Sequence, residues 1–338
     1  MTHGQKGNRK GEVWRHFQGV MCNHLAKQAT GPSFALMKIF ALSLVALLLS
    51  PSAQAADKIR VSSFSTVLTE IAQRVGGDRV EVTGHVRPDM DPHEFEPKPS
   101  DLKTVGDAQL ILVSAKHLEG YVGKLKQATG TKGTLLEVGD KFPSLKMKDD
   151  HGHDHGPKDG HKHGDLVEDP HWWHSIANTQ KAVKIVRDEL AKISPADQKT
   201  FAANAAAYAG KLDALQKWVK TEIAKLPRDQ RKLVTSHDAF QYFAKENGFT
   251  IYAIEGLSSA DQPSSKKVAE IIAIIKSQGV KAIFPESIQN PKVLKEITRE
   301  TAAKVGRELY ADGLGEGAAG TYEGMYKSNV NAIVSALK

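Results

Sequence analysis

Apolar and polar positions in the first half of the chain alternate between strand-like and helix-like spacings. The strand-like runs are residues 59–65, 80–86, 109–114 and 135–138. A helix-like run at 66–75 ends at Gly76-Gly77, a pair typical of a helix end. Strands that alternate with helices favour a parallel sheet. We therefore predict a small α/β lobe here.

The same alternation returns near the end of the chain. The strand-like runs there are residues 233–235, 250–254, 282–284 and 307–310. Helix-like runs occupy residues 266–278 and 291–303 between them. This pattern predicts a second small α/β lobe with its own parallel sheet.

A single long apolar stripe lies between these two regions. Its members recur every three, four or seven residues, as on one face of a helix: Phe201, Tyr208, Leu212, Leu215, Val219, Ile223 and Leu226. Ser194 and Asp197 form a capping-box pattern at the start, and Pro227 ends the run. A helix over 195–226 would be roughly 48 Å long, more than one small lobe covers. We predict that it connects two separate lobes.

The predicted fold class is therefore α/β, with two small parallel-sheet lobes joined by one long α-helix. The first lobe is assigned to residues 56–193, the linking helix to 194–227 and the second lobe to 228–338. Ligands of such sheets bind beyond the carboxyl ends of the strands, which places a site in the cleft between the lobes.

The N-terminal residues 37–55 are predicted to be a secretory signal peptide. A short basic region beginning at Met37 precedes an apolar run at 39–49, and an A-x-A cleavage motif ends at Ala55. The apolar run is too short to cross a bilayer as a helix. Residues 1–36 have two open explanations: a start codon assigned too early, or an unusually long segment before the signal.

Removal of this leader changes the charge of the chain. The whole sequence carries a formal net charge of +7, but six basic residues and one acidic residue lie in 1–55. The remaining net charge of about +2 gives no case for nucleic-acid binding. The single cysteine, Cys22, also lies in the leader, so the mature chain has neither thiols nor a cysteine to carry a lipid. We expect a free periplasmic monomer without a membrane anchor.

Residues 149–165 have the composition of a surface loop that contacts metal. The segment has no apolar side chain for a core, and five histidines fall within it: His151, His153, His155, His161 and His163. Ordering a flexible loop costs entropy, so these auxiliary sites should be weaker than a preformed one. Capture, sensing and transfer of metal are all compatible with the pattern, and a solvated insertion without function is the alternative.

Four residues near strand ends are candidate ligands of one metal ion: His93, His171, His237 and Asp312. Two from each lobe would place the ion in the cleft. Three imidazoles and one carboxylate suit tetrahedral zinc, whereas manganese favours a more oxygen-rich set. Four protein ligands fill the coordination sphere, which indicates binding and not catalysis.

Each of these residues is weak evidence when it is taken alone. A lone histidine in a loop is more often solvated or structural than a ligand, and Asp312 is also a plausible turn residue before Gly313. His174 lies three residues after His171 and is a possible substitute ligand, although a place beside the ligands or on the surface is the simpler interpretation. His85 and His117 are interpreted as structural.

Taken together, the motifs resemble those of the zinc/manganese solute-binding proteins of ABC transporters, the cluster with a rigid interdomain helix. The similarity spans residues 57–338 and rests on Pro-His-Glu-Phe-Glu-Pro at 92–97, Pro-Ser-Asp at 99–101, Asp-Pro-His-Trp at 169–172, His-Asp-Ala-Phe at 237–240, Pro-Ser-Ser at 263–265 and Asp-Gly-Leu-Gly at 312–315. The resemblance implies that His93, His171, His237 and Asp312 are the metal ligands. Histidine at 237, where manganese-binding members often have glutamate, and the histidine-rich insertion favour the zinc-specific members.

The resemblance also implies a function without bond-making chemistry. It implies a periplasmic, high-affinity zinc-binding protein that delivers Zn(II) to an ABC permease and its ATPase at the inner membrane. A periplasmic zinc store, a metallochaperone, a surface adhesin and a manganese-binding homologue remain alternatives. A zinc hydrolase is disfavoured because the sequence has no His-Glu-x-x-His motif.

Overall fold

The computed structural model describes residues 57–88, 90–148, 166–257, 263–286 and 291–338. The predicted signal peptide, the residues before it and the histidine-rich loop at 149–165 lie outside these ranges. Within the described ranges, no helix has the length and apolar character that crossing a membrane requires.

The first lobe contains a four-stranded sheet in which all neighbouring strands are parallel. Its strands are β1 (Ile59–Ser63), β2 (Val80–Gly84), β3 (Leu110–Val113) and β4 (Thr134–Glu137), in the spatial order β2-β1-β3-β4. Its helices are α1 (Thr66–Gly76), α2 (Pro99–Asp107) and α3 (Val122–Thr129). The Ser65 hydroxyl accepts the Leu68 N–H at the start of α1, and Gly77, with φ of 54°, ends it.

A strand pair and two helices lie between the sheets of the two lobes. A short antiparallel pair, β5 (Lys146–Lys148) and β6 (Leu166–Glu168), flanks the histidine-rich loop. Helix α4 (Ile176–Ile193) and helix α5 (Gln198–Ile223) follow. The pair and α4 have no counterpart in the sequence-based prediction. Three-residue strands are too short for a period to be recognised.

The long helix begins differently from the prediction. A 3₁₀ turn at Pro195–Asp197 precedes α5, and the Ser194 hydroxyl donates to the Asp197 carboxylate over 2.7 Å. The two side chains of the predicted capping box therefore bond each other, and Ser194 makes no side-chain bond to the backbone of the turn. With 26 residues, α5 is about 39 Å long.

The second lobe repeats the architecture of the first. Its sheet has the order β10-β9-β7-β8 and is parallel throughout, with strands β7 (Lys232–Thr235), β8 (Thr250–Ala253), β9 (Ala282–Phe284) and β10 (Lys304–Val305). Its helices are α6 (Gln241–Asn247), α7 (Ser265–Gln278), α8 (Pro291–Glu300) and α9 (Tyr322–Leu337). The predicted fold class, two parallel-sheet lobes joined by a long helix, is confirmed.

The strand predicted at 307–310 is wrong. The chain makes only an isolated bridge there, between Glu286 and Leu309, and the edge strand of the second sheet is β10 instead. The next residue, Tyr310, gives its N–H to the side chain of Asn329 over 2.9 Å. The apolar pattern is present, but a side chain takes the bond that a strand would need to continue.

The apolar stripe of α5 joins the lobes into one hydrophobic core. The buried residues of this helix are Phe201, Ala205, Tyr208, Leu212, Leu215, Val219 and Ile223. They pack against α1 and α4, which precede α5, and against α9 at the end of the chain. Because α5 contacts helices from both ends of the sequence, both lobes share this core.

Hydrogen bonds also fix the segment after Leu309 to the first lobe. The Thr66 hydroxyl oxygen in α1 accepts the N–H of Leu314 over 2.8 Å. A Cβ at Gly313 would lie 2.4 Å from the same oxygen, so this approach requires glycine. Glu70 of α1 accepts the N–H of Tyr322 over 2.6 Å. The first lobe thus positions a loop of the second.

Substitution of Thr66 tests this attachment. In Thr66→Val the buried N–H of Leu314 loses its acceptor, which should lower the free energy of unfolding by about 1–3 kcal/mol. Urea unfolding of the metal-free protein measures the change. Thr69→Val is the matched control. It removes a hydroxyl that donates to the Ser65 carbonyl, but that carbonyl still accepts the backbone N–H of residue 69 over 2.9 Å, so no buried group loses its partner. Equal losses in both variants would contradict the assignment.

Candidate metal centre

The four predicted ligands converge on one point of the structure. His93 lies in the loop between β2 and α2, His171 follows β6, His237 follows β7, and Asp312 lies in the segment attached to the first lobe. Each offers one donor atom, and the four atoms all lie within 4.8 Å of one another. The fold therefore brings together residues that are far apart in the sequence.

Most of the distances between these atoms are close to those of a tetrahedral site. His171 Nε2 lies 3.3 Å from His93 Nε2 and 3.4 Å from His237 Nε2. Asp312 Oδ1 lies 3.2 Å from Nε2 of His237 and 3.6 Å from those of His93 and His171. Ligand atoms at about 2.0–2.2 Å from a tetrahedral ion stand about 3.3–3.6 Å apart. These five of the six donor distances are therefore close to those of a tetrahedral zinc site.

The carboxylate oxygen at the centre lacks an ordinary partner. Asp312 Oδ1 is buried and has no hydrogen-bond partner within the described part of the chain. Burying a charged oxygen in this way is costly unless a cation compensates it. Two of the imidazoles that surround it, those of His171 and His237, have no exposed surface. The residues present fit a bound cation.

Charges around the cluster shift its titration. Burial lowers the pKa of His171, but the nearby carboxylates of Asp169 and Asp312 outweigh burial and raise it. Burial likewise lowers the pKa of His237, and the charges of Glu286 and Asp312 raise it well above its usual value. Burial raises the pKa of Asp312, yet the imidazoles hold it well below its usual range. The cluster attracts positive charge, supplied by protons or by a metal ion.

Two carboxylates behind the cluster hold the rings in place. Asp169 Oδ1 accepts both the backbone N–H and the Nδ1–H of His171, each over 2.9 Å. Glu286 contacts Nδ1 of His237. Reasoning from the sequence missed Glu286, although it follows a buried strand, as His237 does. Such partners orient metal-binding imidazoles in many proteins.

The remaining histidines are placed away from the four donors. His174 is buried, so of its two predicted places, beside the ligands or on the surface, the structure excludes the surface. Its Nε2 bonds the Ala311 carbonyl over 2.7 Å, and its ring lies 4.4 Å from that of Phe240. His174 therefore supports the segment that carries Asp312. His85 is buried beside Ser62 and Asp101, His117 is exposed, and the five loop histidines lie outside the described residues.

Comparisons with known proteins identify the family of this chain. The family described as "Zinc-uptake complex component A periplasmic" matches residues 61–336. The chain is 32% identical to the manganese-binding lipoprotein MntA of Bacillus subtilis over 296 residues, 86% of this chain and 93% of that protein. It is 29% identical to the iron-binding protein YfeA of Yersinia pestis, covering 86% and 90% of the two chains.

A solved structure of a related protein has the same fold. The periplasmic zinc-binding protein TroA of Treponema pallidum superimposes with a TM-score of 0.73 and 28% identity, covering 83% of this chain and 99% of that one. This chain belongs to the zinc/manganese solute-binding proteins of ABC transporters. Members of this family bind a metal ion outside the cytoplasm and work with a permease and an ATPase. They are binding proteins and not enzymes.

The buried imidazole of His174 gives this solute-binding protein an acid sensitivity. Burial lowers the pKa of His174 to about 3, against about 6.5 in an unfolded chain. The folded state binds fewer protons, so this contribution to stability is lost as pH falls below about 6.5. In His174→Gln the amide still donates to Ala311 without titrating. When the pH is lowered from 7 to 5, the free energy of unfolding of the wild type should therefore fall by about 2 kcal/mol more than that of the variant.

Urea unfolding of both metal-free proteins at the two pH values measures this difference. His117→Gln serves as the control, because the His117 side chain is exposed and the substitution should leave the pH dependence unchanged. A wild type and a His174→Gln variant whose stabilities fall in parallel would show that His174 is not the responsible group.

Proposed function

We propose that this protein captures Zn(II) with high affinity and delivers it to an ABC permease and its ATPase. The observation that supports zinc most directly is the donor set, in which three imidazole nitrogens and one carboxylate oxygen converge within 4.8 Å of one another. Manganese would favour more oxygen ligands. Four protein ligands also leave no open position for a reacting water.

The proposed ligands are His93, His171, His237 and Asp312. His174 supports Asp312 through its hydrogen bond to the neighbouring Ala311 carbonyl. The relatives differ in the metals for which they are named, manganese for MntA, iron for YfeA and zinc for TroA. The preference proposed here therefore rests on this chain's own donors. The histidine-rich loop at 149–165 is proposed as an auxiliary, weaker site.

We further propose that the mature protein is a free periplasmic monomer. Cleavage after Ala55 would release residues 56–338, divided into a first lobe to 193, a linking helix at 194–227 and a second lobe from 228. The mature chain has no cysteine to carry a lipid, since Cys22 lies before the cleavage motif. In this respect it differs from the relatives named as lipoproteins.

Zinc titration against a chromophoric chelator tests the proposed ligands. The mature chain should show one tight site and weaker binding to the histidine-rich loop. Alanine at position 93, 171, 237 or 312 should weaken the tight site by more than the roughly 10–100-fold that supporting residues cost. His117→Ala is the matched control and should bind as the wild type does.

Deletion of 149–165 should remove only the weak component of the titration. If the four variants kept the tight site, or if the deletion abolished it, the cleft would not be the zinc site. The protein would then fit a storage role that depends on the loop.

Acidification should release the metal. Zinc requires neutral imidazoles, and the raised pKa values of His171 and His237 mean that protons compete already near neutral pH. Below these pKa values each histidine costs up to about tenfold in affinity per pH unit. The same titration at pH 7.5, 6 and 5 measures the fall. An affinity independent of pH over this range would contradict a three-histidine site.

A further inference from the structure

Glu286 lies at a point where it contacts a proposed ligand through both of its oxygens. It follows strand β9, and only 5% of its surface is exposed. Oε1 accepts the backbone N–H groups of Ser236 and His237, over 3.1 and 3.3 Å. Oε2 contacts Nδ1 of the His237 ring. One side chain therefore fixes both the backbone and the ring of this histidine.

The chemistry of this contact determines which ring nitrogen carries hydrogen. A carboxylate accepts hydrogen bonds and cannot donate them, so Nδ1 of His237 must be the donor. In the neutral ring, Nε2 then keeps its lone pair. Nε2 lies 3.2 Å from Asp312 Oδ1 and 3.4 Å from Nε2 of His171, on the side where the donors converge. The contact leaves the nitrogen that faces the cluster free to bind metal.

The backbone of Glu286 extends this role to a second proposed ligand. Glu286 forms a bridge with Leu309, and the Leu309 N–H donates to the Pro285 carbonyl over 2.9 Å. Leu309 stands three residues before Asp312. A single residue thus links the His237 loop to the segment that leads to the central carboxylate.

We infer that Glu286 is a positioning residue that holds His237 in the Nδ1–H tautomer and thereby sets the affinity of the metal site. This inference rests on the proposed function. Asp169 makes the corresponding bonds to His171, but through a single oxygen that accepts both the backbone N–H and the ring N–H. Glu286 uses two oxygens, so an amide cannot replace it without loss.

A glutamine at this position satisfies only one of the two sets of bonds. If its carbonyl oxygen accepts the two backbone N–H groups, its NH₂ group faces Nδ1, which must then accept. The hydrogen of a neutral ring moves to Nε2, the atom that should bind metal. If the amide is flipped, its NH₂ group faces two N–H donors instead. Glu286→Gln therefore preserves size but opposes metal binding in either orientation.

Zinc titration of Glu286→Gln in the full protein tests the inference. We expect the affinity for zinc to fall about 10–100-fold, and Glu286→Asp to recover part of the loss because it keeps a carboxylate. Nitrogen-15 NMR of the histidine rings supplies a second readout. Metal-free Glu286→Gln at pH 8 should show His237 as the Nε2–H tautomer, and the zinc-loaded wild type should show Nδ1–H with Nε2 bound to zinc.

Glu119→Gln is the matched control for the loss of a buried carboxylate. Glu119 is also buried and accepts two consecutive backbone N–H groups, those of Ser114 and Ala115, over 2.6 and 2.9 Å. It contacts none of the four donors, so its substitution should lower stability and leave zinc affinity unchanged. Thermal unfolding by circular dichroism shows that each variant is folded before its affinity is compared.

Wild-type affinity in Glu286→Gln, or a weakened site whose His237 tautomer is unchanged, would overturn the inference. A zinc-loaded wild type that binds the metal through Nδ1 of His237 would do the same, and this measurement needs no variant to fold. A wild type without a tight zinc site would instead refute the proposed function. The two failures are therefore distinguishable.

Discussion

The buried carboxylate of Asp312 is the constraint on which the site depends. Its Oδ1 lies among three imidazole nitrogens without a hydrogen-bond partner among the described residues. A charge in this position is stable only if positive charge neutralises it. The surrounding histidines can provide that charge as protons when metal is absent, and a divalent ion can provide it when they are neutral. Protons and a metal ion therefore compete for the same imidazole nitrogens.

Contacts elsewhere in the fold hold the segments that carry these donors. The segment with Asp312 is held by α1 of the first lobe, and Trp173 donates its indole N–H to the Ala311 carbonyl over 2.8 Å. Tyr322 in turn donates its hydroxyl to the Trp173 carbonyl over 2.6 Å. Helix α5 packs on helices from both lobes, so the residues of this hydrogen-bond network are attached to a hydrophobic core that the two lobes share. A site built this way requires little ordering when it binds.

The comparisons identify the family, but the preference for one metal depends on the donor atoms of this chain. Relatives with about 30% identity are named for manganese, iron and zinc, so membership alone does not select a metal. Selectivity in such sites comes from ligand type and geometry. Two carboxylates, Asp169 and Glu286, fix two of the imidazoles from different segments of the chain. The orientation of nitrogen donors is thus built into both lobes.

The sequence alone determined the two alternating α/β regions, the long helix between them and the four residues that converge. Apolar periodicity is a local signal, and the ligand types carry their chemistry without a structure. Tertiary structure decided the rest. Whether 307–310 forms a strand depends on Asn329, which takes the Tyr310 N–H. The roles of Glu286 and His174 depend on contacts 49 and 137 residues away in the chain, and no local pattern encodes such distances.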